Sequence, residues 1–137
     1  MSNKEEEVKN SVFGFGEANT AFAKYFTGDS FLKALANDPD DGVGVHQVTF
    51  APGAINHWHT HTAVQILIAT AGEGWYQEEG KPAQKLLPGD AVIVKPGTKH
   101  WHGAAKDKWF SHIAIMCGPS KNEWLEPVNE DDYENLK

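Results

Sequence analysis

All seven histidines of this chain fall between residues 46 and 112: His46, His57, His59, His61, His100, His102 and His112. Near neutral pH an imidazole can ligate a transition ion, move a proton, or simply satisfy a hydrogen bond. Spacing helps to separate these roles. A strand turns alternate side chains to one face, so His59 and His61 can aim two ring nitrogens at one point, with Gln65 on the same parity. His100 and His102 repeat that arrangement after the Pro96-Gly97 turn, and His112 opens a row continued by Ala114 and Met116. His46, Val48 and Phe50 make a further inward row. Hydrophobicity gives no reason to gather imidazoles in a core, because each buried polar ring needs a partner. A divalent cation is a partner that several rings can share, and imidazole with amide oxygen suits a transition ion. A lone histidine on a strand is ordinarily a satisfied polar residue, so the signal lies in the set.

Elements with a two-residue period must carry these rows. From residue 43 short β-branched or aromatic runs recur about every ten residues between Gly and Pro punctuation. Strands are expected at Val43–Phe50, Ala63–Thr70, Trp75–Glu78, Ala83–Leu87, Ala91–Lys95, Trp101–Ala104 and Trp109–Cys117. His59 through Ala69 are expected to share one face of a single strand. This rhythm is that of an all-β antiparallel barrel or jelly roll. Residues 1–12 read as a frayed, disordered arm and 13–41 as a short helix or irregular strand closed by the turn Asn37–Gly42. The barrel with its N-terminal extension spans 13–118, and 119–137 read as a surface segment pinned by Trp124, Leu125, Tyr133 and Leu136.

Composition narrows the function. A chain of 137 residues makes one domain, with a core large enough to fold alone. Twelve Lys plus Arg against nineteen Asp plus Glu leave a net charge of -7, which argues against nucleic acid as partner. One cysteine, Cys117, excludes an intramolecular disulfide; it is expected as a small core residue off the His112 face. No apolar run is long enough for a membrane helix and no signal peptide opens the chain, so a cytoplasmic location is expected. The five tryptophans read as packing residues.

Gly53-x5-His59-x-His61-x3-Gln65-x6-Gly72 resembles the first cupin motif, with Gln65 where Glu is usual. Gly89 through His100 resembles the second motif, departing from it at Lys95, where Pro is usual, and at Ala104, where the motif ends in Asn. The resemblance implies a cupin-type β-barrel, a double-stranded β-helix, with His59, His61, Gln65 and His100 as metal ligands. His57–His61, Gly72–Trp75, Lys99–Ala104 and Ser111–Ile115 are further similar to small single-domain bacterial cupins, a subgroup that includes manganese-dependent hydroxynitrile lyases. In that resemblance His102 and His112 stand beside the metal, and a homodimer or higher homo-oligomer is expected.

Three imidazoles and a neutral amide leave the ion's double charge uncompensated, which favours Lewis-acid chemistry on a small organic substrate. Manganese is the first expectation; iron, zinc, nickel and cobalt fit the same ligands. His102 and His112 are the candidate general bases, with His46 and His57 as pocket residues. An iron-dependent dioxygenase and a non-catalytic small-molecule-binding cupin are the competing functions.

Overall fold

Apolar alternation, broken by Gly and Pro, folds the chain into two sheets around a shared interior. The structure, a computed structural model, describes residues 2–137. A short helix α1 (Glu5–Lys9) precedes strands β1 (Glu17–Ala18), β2 (Phe26–Thr27), β3 (Ser30–Asp38) and β4 (Val43–Phe50). The strands β5 (Ile55–Asn56), β6 (His59–His61), β7 (Gln65–Gly72), β8 (Gly74–Glu78) and β9 (Gln84–Leu86) follow. The chain ends with β10 (Ala91–Val94), β11 (His100–Ala104), β12 (Phe110–Cys117), β13 (Asn122–Trp124) and helix α2 (Glu130–Glu134).

One sheet has the order β1-β3-β4-β12-β7-β10, and every pairing in it is antiparallel. In the other, β11 pairs with β8 along one edge, while β5 and β6 lie end to end along its other edge. Between the sheets Val48, Phe50, Leu67, Ala69, Val94 and Phe110 meet Tyr76, Leu86 and Ala104 in one apolar cluster. Each fully buried Phe or Leu there contributes roughly 1.5–3 kcal/mol. This apolar body fills the lower barrel and leaves the other end to the histidines.

A bulge at Thr70 of β7 changes that strand's phase against the inward row of β12. The register of β12 against β7 shifts between Ser111 and His112, so that Phe110 stands opposite Gly72 and His112 opposite Ala69. Bulges re-aim side chains in this way. Gly72 has φ 78°, and a Cβ there would overlap the Trp109 carbonyl oxygen. Only glycine fits.

Four expectations need correction. Residues 5–9, expected within a frayed arm, form α1; Val8 is fully buried and the Glu7 carboxylate accepts the Gly72 N–H at 3.0 Å. The segment 13–41 carries an irregular strand as expected, β3, with a register shift between Ala34 and Ala36, but its end runs through Asn37 and Asp38, so the turn starts later than Asn37. The expected single strand from His59 to Ala69 is two strands in different sheets. The chain crosses over at Thr62–Val64, where the Ser120 hydroxyl accepts the N–H groups of Thr62 and Ala63 at 3.2 and 3.3 Å. Finally, Cys117, expected in the core, is an exposed free thiol.

The C-terminal segment covers the outer face of the second sheet. Tyr133 and Leu136 pack with Ile55, Trp75 and Trp101, and the Tyr133 hydroxyl donates to the Ala104 carbonyl at 2.7 Å. Helix α2 is capped by Asn129, whose side-chain oxygen accepts the Asp132 N–H at 3.0 Å.

Candidate metal centre

The histidine site is built on β6 and β11 of the second sheet. Antiparallel pairing of β6 with β11 sets His59 directly opposite His100. Two residues on, His61 closes the group, with ring centroids 6.0 Å from His59 and 4.9 Å from His100. One ring nitrogen from each of His59, His61 and His100 lies within 4.8 Å of the other two, and all three side chains are buried. These residues are positioned to hold a metal ion.

Backbone carbonyls set the tautomers of all three rings. His59 Nδ1 lies 2.8 Å from the His57 carbonyl oxygen, His61 Nδ1 3.0 Å from that of Ala63, and His100 Nδ1 2.8 Å from that of Thr98. A carbonyl can only accept, so each Nδ1 carries the proton and each Nε2 keeps a lone pair. Such outer partners orient the rings of metal-binding histidines. His100 Nε2 is buried and has no hydrogen-bond partner. His61 Nε2 faces Gln65 Oε1 at 3.0 Å, so two acceptors meet with no proton between them. An orphaned nitrogen and an acceptor facing an acceptor are unfavourable in a protein interior but suited to a shared cation. The residues present therefore fit a divalent ion, with Gln65 brought to the triad from the neighbouring strand β7.

Burial also keeps the rings in the form an ion requires. Desolvation, reinforced by the neighbouring His100, lowers the His59 pKa to about 3. Desolvation lowers that of His100 to about 4. A neutral imidazole is the ligating form.

Beside the triad lies a cavity of about 210 Å³. Its wall includes His59, His61, Gln65, His102 and His112, and no Asp or Glu among the described residues. The volume suits a small organic molecule, being less than the several hundred Å³ usual for larger ligands. Phe50, fully buried behind this wall, packs on two of its histidines, its ring centroid 5.7 Å from that of His112 and 5.9 Å from that of His102. His112 Nε2 lies 3.1 Å from His102 Nδ1, and His102 Nε2 lies 3.2 Å from Asn56 Nδ2. Burial lowers the His112 pKa to about 4; burial and then the adjacent His112 hold His102 well below its ordinary value.

His46 lines the cavity, as its parity predicts. His57 does not: its ring is absent from the wall, and its contribution is the carbonyl that holds His59. Among the wall residues that sequence reasoning missed, two touch the histidines. Trp124, read as packing, belongs to β13, which pairs with β6 and sets its indole 4.6 Å from the His59 ring. Asn56 lies on the two-residue strand β5, too short for a period to show.

Comparison with known proteins places this geometry. The family model described as "Cupin domain" matches residues 46–116. An (R)-mandelonitrile lyase of Granulicella tundricola is 43% identical over 114 residues, covering 81% of this chain and 87% of that protein. A cupin-like protein of known structure from Thermotoga maritima superposes with a TM-score of 0.82 at 42% identity, covering 91% of this chain and 96% of its own. A DMSP lyase from Ruegeria pomeroyi superposes with a TM-score of 0.64 at 23% identity, covering 90% of this chain and 60% of its own, a likeness of fold alone.

Proposed function

The chain belongs to the cupin domain family, and we propose that it is a metal-dependent lyase of the hydroxynitrile type acting on a small cyanohydrin. The observation that carries this reading is the convergence of three Nε2 lone pairs on one point beside a small cavity without carboxylates. The (R)-mandelonitrile lyase relative, similar over most of both chains, supplies the substrate class. His59, His61, Gln65 and His100 are the proposed ligands. Manganese is the proposed ion, with iron, zinc, nickel and cobalt compatible with the same donors. When bound, such an ion supplies Lewis acidity toward a substrate oxygen.

The chain's own residues do the rest. Phe26, Ala114 and Trp124 offer apolar surface to the organic part of the substrate. The neutral pair His102–His112 takes the hydroxyl proton. The bond to the nitrile carbon then breaks, and cyanide leaves with the bonding electrons. The imidazolium returns the proton to cyanide, releasing hydrogen cyanide and an aldehyde. His46 lines the cavity without ligating.

Assembly as a homodimer or higher homo-oligomer in the cytoplasm belongs to the same reading. Ile93, on edge strand β10, is 63% exposed, and an apolar sheet edge gains from a covering copy. A free, exposed Cys117 is compatible with a reducing compartment.

Cyanide release from (R)-mandelonitrile tests the function. Manganese-loaded protein is expected to release cyanide well above the spontaneous rate, and both metal-free protein and a loaded His59→Ala preparation to fall to background. A loaded wild-type sample at the spontaneous rate would remove this reaction.

A further inference from the structure

Asn56 is 2% exposed, reaches the cavity wall, and contacts His102 twice. The His102 backbone N–H lies 2.9 Å from Asn56 Oδ1, while His102 Nε2 lies 3.2 Å from Asn56 Nδ2. A backbone N–H can only donate, so the amide cannot be flipped: its oxygen must face the backbone and its NH2 must face the ring. An NH2 group can only donate. His102 Nε2 must therefore hold the lone pair, and Nδ1 the proton. That proton points at His112 Nε2, 3.1 Å away, which must in turn accept, leaving the His112 proton on Nδ1.

We propose that Asn56 is a positioning residue that fixes the tautomers of a two-histidine relay, keeping the proton-accepting lone pair of His102 on Nε2 and aiming its Nδ1 proton at His112. The direction matters for the chemistry proposed above, on which its functional meaning rests. A proton accepted at His102 Nε2 displaces the Asn56 NH2 contact and lets Nδ1 release its own proton to His112 Nε2. His102 is then neutral again with its tautomer reversed, and the positive charge rests on His112. The His102 ring centroid lies 5.7 Å from that of His59 and 5.9 Å from that of His100, whereas His112 packs on Phe50 and Phe110. The relay thus carries positive charge away from the cation site. The return step runs in reverse to protonate the leaving group.

The test is independent of turnover. Long-range 1H–15N correlation on the full chain with 15N-labelled histidine, free of paramagnetic metal, reports which ring nitrogen carries each proton. Wild-type protein is expected to show His102 and His112 protonated on Nδ1 and bare on Nε2. Asn56→Asp places an acceptor where the NH2 stood, so His102 Nε2 should become protonated. A wild-type His102 protonated on Nε2 would overturn the proposal even if the variant failed to fold. So would an unchanged His102 pattern in a folded Asn56→Asp protein. Absence of cyanide release from wild type would remove the lyase reading and leave the tautomer assignment standing.

Discussion

His59 and His100 stand opposite each other across β6 and β11, with ring centroids 4.2 Å apart. At that separation and in that burial neither ring gains by becoming charged, and each has committed Nδ1 to a backbone carbonyl. What remains is a pair of lone pairs wanting a cation. His59→Ala should therefore cut manganese affinity by at least about 100-fold, since even outer-shell changes cost about 10–100-fold. Elemental analysis and titration calorimetry on the purified protein check this. Full retention of the ion in the variant would place the metal elsewhere.

Gln65 supplies a neutral oxygen where a carboxylate is usual. Gln65→Glu adds one negative charge at the same reach, 3.0 Å from His61 Nε2 in the present geometry. Coulombic attraction to a divalent ion should tighten manganese binding by about tenfold or more, while the smaller residual charge weakens polarisation of a substrate oxygen. Affinity rising while turnover falls is the expected pattern. Both falling together would indicate that the carboxylate disturbs the site instead of charging it.

Acid should destabilise the metal-free fold through these rings. His59, His100 and His112 fall from the ordinary 6.5 to about 3, 4 and 4, chiefly by burial. Below pH 6.5 the unfolded chain takes up protons that the folded chain refuses, so stability is complete above that pH and declines as pH falls toward 4. Each such ring removes up to about 1.4 kcal/mol per pH unit. Urea midpoints measured at intervals between pH 7 and 4 should fall steadily. A flat profile would mean that the rings take up protons as readily folded as unfolded.

Strands β4, β7, β10 and β12 were legible because alternation and Gly or Pro boundaries coincide there, and the histidine parity along β6 and β11 carried the site. What escaped depends on long-range pairing. The crossover between His61 and Gln65 leaves parity intact, so nothing local distinguishes one bent ligand strand from two strands in separate sheets. Strand β3 is obscured by Lys33, Asn37 and Asp38 in its length. Trp124 sits in an acidic tail whose composition suggests surface, and only the pairing of β13 with β6 brings it to His59. Asn56 has one neighbour in its strand and no periodic signal at all.

Phe50 separates stability from metal binding. It is fully buried and packs on Phe26, Phe110, His102 and His112, so it supports the relay pair from below. Phe50→Ala should cost about 3–5 kcal/mol of folding stability by losing buried area and leaving a cavity. That is a large share of a domain's usual 5–15 kcal/mol. The triad, however, is oriented by carbonyls of His57, Ala63 and Thr98, none of which lies on β4 or on a strand paired with it. Urea unfolding of the variant should therefore shift strongly, while manganese affinity measured under native conditions changes less than about threefold. A parallel loss of affinity in still-folded protein would show that the apolar core orients the ligands as well, and that backbone carbonyls alone are not enough to hold them.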